Sequence, residues 1–320
     1  SNAERVGLTE IVFMDSNEEK LNIYGKIAEK IAKRINPDIN FWLTSDPVAA
    51  LKDANFIVTT IRVGEDKARV LDERIALNNG ILGQETTGAG GFAMSLRSSP
   101  KILEYCKMIE KYSAKDAMLF NFTNPSGIVT QAIHLSGFKN VYGICDAPSE
   151  FIKQVAKVLE KPLEEVSAEC FGLNHLSWFR NIKVNGKDAM EELLAKKELY
   201  TETEMKFFDP ELVKISGNLL LNEYLYYFYY RERAEKAIIN KEKTRGETIL
   251  EINKQMTKEL KEVDIDKDTD KAFEIYMRNY MKRENSYMEI ESKTEKLHKK
   301  EPETLEEYLE KRVFSGAKIT

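Results

Sequence analysis

The stretch Thr9–Asp15, with the sequence TEIVFMD, decides how the first half of the chain is interpreted. It is a short apolar run rich in β-branched residues that ends at Asp15, and such a run is typical of a strand. A helical pattern follows at once, because apolar side chains recur every three to four residues at positions 24, 27, 31 and 35. The sequence therefore predicts a strand followed by a helix.

The same alternation continues to about residue 150. Asp46 and Pro47 predict the start of a further helix, since aspartate favours the N-cap and proline the first helical position. The remaining predicted strands cover residues 39–43, 56–61, 117–122 and 140–145, and the remaining predicted helices cover 100–112 and 127–135. Strands that alternate with helices favour a parallel sheet with helices on both faces. We therefore expect an α/β fold with a Rossmann-like parallel sheet in residues 1–150.

Residues 151–320 show a different pattern. After a first helix, strands are predicted at 167–171 and 178–184, and Asn185-Gly186 is typical of a hairpin turn. The remainder is mostly helical and highly charged. Its cluster of tyrosines between 224 and 230 is typical of buried packing or of a subunit interface. We expect a mixed, mainly helical α+β domain that binds substrate and contributes to oligomerisation.

The composition and charge of the chain exclude several classes of function. Its 320 residues are 42% hydrophobic and 32% charged, with a formal net charge of -5. That charge offers no long-range attraction for nucleic acid or an anionic membrane, and no apolar run approaches the roughly 18 residues of a membrane span. The three cysteines fit neither a disulfide framework nor a CxxC metal site. We expect a cytoplasmic protein with a small-molecule partner, and neither nucleic acid nor membrane as a partner.

Residues that directly follow the predicted strands are candidates for ligand binding, because parallel α/β sheets bind ligands at the carboxyl ends of their strands. Asp15 ends the first predicted strand and could accept hydrogen bonds from the ribose of a dinucleotide such as NAD. An acidic residue here is also common as a helix N-cap or a solvated turn residue. The Gly-rich turn GxGxxG that should precede it does not occur in the sequence. The predicted nucleotide-binding domain, residues 1–150, therefore lacks its first strand and phosphate-binding turn.

Cys145 and His175 are candidates for a metal site. Cys145 ends a predicted strand, and His175 ends the run GLNH after another strand. A thiolate and an imidazole together bind borderline divalent ions, and two protein ligands leave positions open for substrate oxygens, as in a catalytic site. A single histidine in this place is also common as a structural residue. His134, within a predicted helix, and His298, in the charged tail, are expected to be structural or solvated.

Four runs of sequence carry a resemblance to a known family. They are IRVGEDKARVLDERIALNNGILGQET (61–86), NFTNPSGIV (121–129), GICDAP (143–148) and FGLNHLSW (171–178). These runs resemble the NAD-dependent glycosidases of glycoside hydrolase family 4, and the likeness extends in order from about Leu8 to Tyr287. The resemblance implies NAD and a divalent metal, commonly manganese, as cofactors. It also implies hydrolysis of 6-phosphorylated glucosides, outside the usual two-carboxylate mechanism.

By this resemblance, Cys145 and His175 match the metal ligands of the family, and Arg69 and Asn124 match positions that bind the substrate. The implied reaction begins with hydride transfer from C3 of the sugar to NAD. The resulting ketone acidifies the proton at C2, while the metal polarises the adjoining oxygens as a Lewis acid.

The resemblance also implies an acid and a base. Asp146 matches the proposed general acid, which assists departure of the C1 oxygen. Tyr287, in the run RENSYMEIE, matches the tyrosine proposed to remove the C2 proton. A phenol with a pKa near about 10 needs a nearby metal or cation to act as a base at neutral pH. Water then adds, the hydride returns and NAD is regenerated.

The resemblance favours a 6-phospho-β-glucosidase, because segments such as NEYLYYFYYRERA (222–234) are similar to β-specific members. The Cys-Asp pair at 145–146 resembles α-specific members, so a 6-phospho-α-glucosidase is the alternative. An NAD-dependent hydroxy-acid dehydrogenase, which would need no metal pair, and an inactive sugar-phosphate-binding fragment are two further hypotheses. Relatives continue through a longer carboxyl-terminal portion, which implies a truncated chain or part of a longer protein. The family also implies a homodimer or homotetramer.

Overall fold

The computed structural model describes residues 6–221, 223–286, 302–311 and 318–319. The strands are β1 (Glu10–Met14), β2 (Asn40–Thr44), β3 (Phe56–Thr59), β4 (Met118–Asn121), β5 (Val141–Gly143), β6 (Val166–Leu173), β7 (Leu176–Val184), β8 (Lys187–Asp188), β9 (Leu219–Leu221) and β10 (Lys318–Ile319). The helices are α1 (Glu18–Lys20), α2 (Lys26–Ile35), α3 (Pro47–Leu51), α4 (Glu65–Asn78), α5 (Gly88–Tyr112), α6 (Ser126–Leu135), α7 (Ala147–Val158), α8 (Met190–Ala195), α9 (Leu199–Glu202), α10 (Pro210–Ser216), α11 (Glu223–Tyr229), α12 (Arg231–Ile239), α13 (Arg245–Lys261), α14 (Thr269–Asn285) and α15 (Leu305–Lys311). One π-helical turn, Leu21–Gly25, joins α1 to α2. Strands and helices alternate up to α7, as the sequence predicts.

The first half of the chain forms two parallel sheets. β1 pairs with β2, with Glu10 opposite Asn40, and β3, β4 and β5 pair in that order. The predicted Rossmann-like parallel α/β fold is confirmed, but the strands lie in two groups rather than in one sheet. A Rossmann sheet places the strand that precedes its Gly-rich turn between these two groups. No strand among the described residues occupies that position, so β1 and β3 each keep one edge unpaired there.

Helices α5 and α6 cover one face of the sheet formed by β3, β4 and β5. The buried core between them includes Ile102, Ile109, Leu119, Val129 and Val141. In the described part of the chain, the opposite face leaves Phe56, Val58 and Tyr142 exposed. The expectation of helices on both faces is therefore wrong for this sheet. Right-handed crossovers that step in one direction, from β3 to β4 to β5, place their helices on the same side.

Residues beyond α7 build a second core around an antiparallel sheet. β6 and β7 form a hairpin, and β8 and β9 both pair with β7. The predicted turn at Asn185-Gly186 is confirmed, since it joins β7 to β8 with φ angles of 50° and 80°. Helix α7 packs on this sheet through Phe151, whose ring centroid lies 5.3 Å from that of Phe179.

Helices α13 and α14 fold back onto the first half of the chain. Leu260, Ile265 and Ile275 form a buried cluster with Ile23 and Ile27. This contact joins the last long helices to the helix that follows β1. Among the residues that the structure describes, no helix is long and apolar enough to cross a membrane.

Candidate active site

The ends of β5 and β6 bring Cys145 and His175 together. Cys145 lies two residues beyond β5, and His175 lies in the two-residue turn between β6 and β7. The Cys145 Sγ and His175 Nε2 atoms are 3.5 Å apart. His175 has a φ of 64°, in the left-handed region that residues with side chains seldom adopt. Strained backbone of this kind is concentrated at functional sites.

This pair has the chemistry and spacing of two ligands of one divalent ion. Sulfur and nitrogen ligands about 2.3 and 2.1 Å from an ion, at a near-tetrahedral angle, lie about 3.5 Å apart. Burial lowers the pKa of His175 below its ordinary value, which keeps the imidazole neutral and able to coordinate. Its buried Nδ1 atom has no hydrogen-bond partner among the described residues. Burial raises the pKa of the Cys145 thiol to about 11, so a bound ion would have to displace its proton.

Asp146 lies directly beside the candidate metal pair. Within the described ranges, no group of three or more His, Cys, Asp and Glu residues is placed to hold a metal. Two protein ligands leave coordination positions for substrate oxygens. Asp146 follows Cys145 at the start of α7, with its Oδ1 atom 3.8 Å from the sulfur and its side chain exposed. The predicted acid therefore lies beside the predicted metal ligands and faces solvent.

Arg69 lies on the inward face of α4 in a buried network of charges. Its Nε atom is 2.9 Å from Glu73 Oε1, and its Nη1 atom is 2.9 Å from Glu85 Oε2, which belongs to a carboxylate that also contacts Arg62. Burial alone would raise the pKa of Glu85, but Arg69 and Arg62 outweigh it and lower that pKa to about 2. Burial likewise opposes the charge of Arg69, and the two carboxylates raise the Arg69 pKa above its ordinary value. Arg69 is thus held in its charged form by the two carboxylates that it contacts, and its substrate-binding role stays a prediction.

The segment between α4 and α5 carries Glu85 to Arg69. Gly83 makes this close approach possible, because a Cβ atom there would lie 2.3 Å from the backbone carbonyl oxygen of Glu73. No larger residue fits without moving the segment away from α4. A glycine in the run ILGQET therefore has a direct part in building the charge network.

Helix α11 holds the same segment from its other side. The Gln84 side-chain amide donates a hydrogen bond of 2.6 Å to Tyr227 Oη, and the Thr86 and Tyr224 hydroxyls are hydrogen-bonded to each other. Residues 224 and 227 share one helical face because they are three positions apart. Tyr224, Tyr226 and Tyr227 are all buried, which confirms the packing role predicted for this tyrosine cluster.

Tyr224 is a candidate site residue that the sequence analysis did not single out. Its ring centroid lies 5.3 Å from that of His175. The phenol is also close enough to the Arg69 guanidinium to influence the pKa of Arg69. The sequence contained only a weak signal, the spacing of Tyr224 and Tyr227 on one helical face. Nothing in it showed that this face meets His175.

Asn124 follows β4 and leads into α6 through a cis peptide bond to Pro125. A Cβ atom on Gly127, at the start of α6, would lie 3.9 Å from the Cβ atom of Asn174. The start of α6 therefore lies beside the turn that holds His175. This places the segment of the predicted substrate-binding Asn124 next to the candidate metal ligands.

The other residues predicted from the sequence lie outside this cluster or outside the described residues. Asp15 Oδ1 accepts a 2.8 Å hydrogen bond from the backbone N–H of Asn17, and its side chain is exposed in the turn after β1. Asp15 is thus a solvated turn residue, one of the two alternatives that the sequence left open. Its binding of the NAD ribose stays a prediction. Tyr287 and His298 lie outside the described residues. His134 is exposed on α6, as expected.

Comparison with known proteins places the whole chain in one family. Residues 1–161 match the model of family 4 glycosyl hydrolases, and residues 170–314 match the model of the C-terminal domain of that family. The 6-phospho-beta-glucosidase of Escherichia coli (strain K12) is 35% identical over 263 residues, which cover 79% of this chain and 58% of the relative. The 6-phospho-alpha-glucosidase of Leptotrichia buccalis is 33% identical over 245 residues, which cover 72% of this chain and 56% of the relative.

Solved structures agree with the sequence relatives. The 6-phospho-beta glucosidase of Thermotoga maritima, solved with manganese, NAD+ and glucose-6-phosphate, matches with a TM-score of 0.72 and 29% identity over 88% of this chain and 67% of that chain. A 6-phospho-alpha-glucosidase from gut microorganisms, in complex with NAD and Mn2+, matches with a TM-score of 0.71 and 26% identity over 82% of this chain and 64% of that chain. The chain spans less than two thirds of the length of the sequence relatives. Because the two family models match residues 1–161 and 170–314, the chain belongs to family 4 of the glycosyl hydrolases.

Proposed function

We propose that this chain hydrolyses 6-phospho-β-glucosides by NAD-mediated oxidation, elimination, addition and reduction, with a divalent metal ion. The observation that carries the proposal is the Cys145 Sγ and His175 Nε2 pair, 3.5 Å apart at the ends of two strands. An exposed carboxylate, Asp146, and a buried phenol, Tyr224, flank this pair. The relatives with solved manganese, NAD and glucose-6-phosphate complexes support the same chemistry.

Each cofactor has residues in this chain that would hold it. Cys145 and His175 would bind the metal, and manganese is the ion found with the solved relatives. When bound, the metal supplies Lewis-acid polarisation of neighbouring sugar oxygens, and NAD supplies a reversible hydride acceptor for C3. Asp15 would accept hydrogen bonds from the ribose of NAD. Arg69 and Asn124 would bind and orient the phosphorylated glucoside or disaccharide.

Two side chains would move protons in the elimination step. Tyr224, as a phenolate, takes the proton from C2 of the 3-keto sugar, and the electrons of that C–H bond form the C1–C2 double bond. The bond between C1 and the leaving oxygen breaks, and Asp146 donates a proton to that oxygen. Tyr287, which the family resemblance predicts as the base, is the alternative and lies outside the described residues. The ring distance of 5.3 Å between Tyr224 and His175 supports Tyr224 in this role.

A 6-phospho-α-glucosidase is the second candidate, because the Asp146 carboxylate follows Cys145 and α-specific relatives match at comparable identity. A hydroxy-acid dehydrogenase has no need of a Cys–His pair at this position. An inactive fragment would bind the metal or sugar phosphate without turnover. Anomeric preference and metal dependence therefore separate these hypotheses.

The proposal is tested by release of p-nitrophenol from the β- and α-glucoside 6-phosphates, with and without NAD and Mn2+. We expect turnover of the β-anomer that requires both additions. Cys145→Ser should abolish turnover and weaken Mn2+ binding measured by electron paramagnetic resonance, whereas Cys170→Ser should change neither. Unchanged Mn2+ binding in Cys145→Ser would contradict the metal site. Metal binding with no turnover of any substrate would support the inactive-fragment hypothesis instead.

We also propose that the protein works in the cytoplasm as a homodimer or homotetramer. A phosphorylated sugar is charged and crosses a membrane poorly, so its hydrolase belongs in the compartment that contains it. Cell fractionation checks the location, and sedimentation analysis checks the number of copies.

A further inference from the structure

We propose that a groove between α1, the start of α4 and α13 binds a small molecule that carries two phosphate groups. This groove, the lysine groove, has a volume of about 500 Å³. Pockets that bind small molecules in proteins have volumes of about 300–1,000 Å³. The described residues that line it do not include Cys145, His175 or Asp15, so the proposal is independent of the proposed glycosidase reaction.

The lining of the lysine groove concentrates positive charge from three elements that are far apart in the sequence. Two acidic residues, Glu65 and Asp66, lie in this lining together with five lysines, which gives it a formal charge of +3. The whole chain has a net charge of -5. A cleft lined mostly by one sign of charge attracts small ions of the opposite sign. The lysines are Lys20 of α1, Lys67 of α4, and Lys254, Lys258 and Lys261 of α13.

The two acidic residues of the lining already have partners. Lys20 Nζ lies 2.7 Å from Glu65 Oε1. The Asn253 side-chain amide donates a hydrogen bond of 2.7 Å to Asp66 Oδ2. In the described part of the chain, neither carboxylate forms an ion pair with another lysine of the groove.

Three lysines of the groove, Lys67, Lys254 and Lys258, have no ion-pair partner among the described residues. Lys261, in contrast, pairs with Glu19 at 2.6 Å. Lys254 and Lys258 lie one turn apart on α13, where like charges repel and destabilise a helix. An anion bound between them would remove this repulsion. The three unpaired lysines therefore favour a ligand with several negative charges.

The other residues of the lining suit an organic molecule better than a bare ion. Tyr24 Oη and Thr257 Oγ1, which are hydrogen-bonded to each other at 2.8 Å, supply polar groups. Leu250 and Met256 add apolar surface.

The charge of the ligand follows from the number of unpaired lysines. Lysine binds phosphate as a point charge on a flexible stem. One phosphate monoester carries a charge of about -1.5 to -2 at neutral pH, so two phosphate groups match three unpaired lysines better than one. The ligand class is therefore an organic diphosphate, either a sugar bisphosphate or a nucleoside diphosphate.

Isothermal titration calorimetry of the 320-residue chain with fructose 1,6-bisphosphate, ADP and pyrophosphate tests this proposal. We expect at least one of the two organic ligands to bind with a dissociation constant below about 100 µM, and more tightly than pyrophosphate. Lys254→Gln and Lys258→Gln should each raise that constant at least about 10-fold, because each removes an unpaired charge. Lys236→Gln is the matched control, since Lys236 is an exposed lysine of α12 outside the lining, and it should leave the constant unchanged.

Thermal unfolding separates a loss of binding from a loss of structure. Lys254→Gln and Lys258→Gln should melt no lower than the wild type, because each relieves the repulsion between the two lysines. A chain that binds none of the three ligands would overturn the proposal. So would binding that survives both substitutions, binding that Lys236→Gln weakens equally, or binding that NAD displaces, because displacement would assign the ligand to the cofactor site.

Discussion

Replacing Glu85 by glutamine removes the negative charge at the centre of the network beneath the candidate active site. The Glu85 carboxylate is 14% exposed and lies 2.9 Å from Arg69 Nη1. Its pKa falls from 4.5 to about 2, which corresponds to about 3 kcal/mol at roughly 1.4 kcal/mol for each unit. Removing one partner from a buried ion pair costs about 3–5 kcal/mol, a consistent figure. We expect Glu85→Gln to lower the free energy of unfolding by about 3 kcal/mol at neutral pH.

Urea unfolding followed by tryptophan fluorescence measures this difference. Glu202→Gln is a matched control, because Glu202 forms an exposed ion pair with Lys157 at 3.1 Å. Losing such a surface pair should cost less than about 1 kcal/mol. If Glu85→Gln costs no more than Glu202→Gln, the reasoning about the buried network is refuted.

The pH dependence gives a second check on Glu85. Its pKa is lower in the folded chain than in the unfolded chain, so its stabilising contribution is complete above about pH 5 and is lost as the pH falls toward about 2. The difference in unfolding free energy between wild type and Glu85→Gln should therefore shrink by about 1 kcal/mol between about pH 7 and about pH 3.5. A difference that grows on acidification would contradict the assignment.

Three further substitutions test the site and the core. Tyr224→Phe should lower kcat by a factor of about 10² to 10⁴ while Mn2+ binding stays unchanged. The control Tyr226→Phe, in the same helix, should leave kcat nearly unaltered. Equal kinetics in the two variants would exclude Tyr224 as the base. Gly83→Ala should destabilise the chain by about 2 kcal/mol or more in urea unfolding, because its Cβ atom would lie 2.3 Å from a backbone oxygen of α4. Gly127→Ala, with 3.9 Å of clearance, should cost nothing, and a similar loss in both would contradict the steric argument. Phe151→Ala should remove about 3–5 kcal/mol from the unfolding free energy, and a loss below about 1 kcal/mol would show that the second core does not depend on this ring.

Much of the fold follows from local sequence patterns. The β-branched run in residues 9–14, the Asp46-Pro47 helix start and the Asn185-Gly186 turn all appear where the sequence predicts them. These features depend on backbone propensity and on the alternation of apolar residues, which act over a few positions. The exposure of Phe56 and Val58 among the described residues does not follow from these local patterns. Which face a crossover helix covers depends on the direction in which successive strands are added, a property of the whole sheet.

In the candidate site too, some features follow from the sequence and others depend on the tertiary structure. Cys145 and His175 are candidate ligands from their residue types and their positions after predicted strands, but only the structure shows that β5 of the parallel sheet and the β6–β7 turn of the antiparallel sheet bring them together. Tyr224 and Glu85 could not be assigned to the site from the sequence. The contact between Thr86 and Tyr224 spans 138 residues, and the Arg69–Glu85 pair depends on the approach of the Gly83 segment to α4.

The sequence by itself determined the strands, the helices, the turn chemistry and the family, because each of these depends on residue types at short spacings. Only the tertiary structure decided which tyrosine reaches His175, which carboxylates neutralise Arg69 and which side of α4 faces solvent. Such contacts form when distant segments pack around a shared core. Their geometry depends on the combined constraints of many side chains rather than on any local pattern.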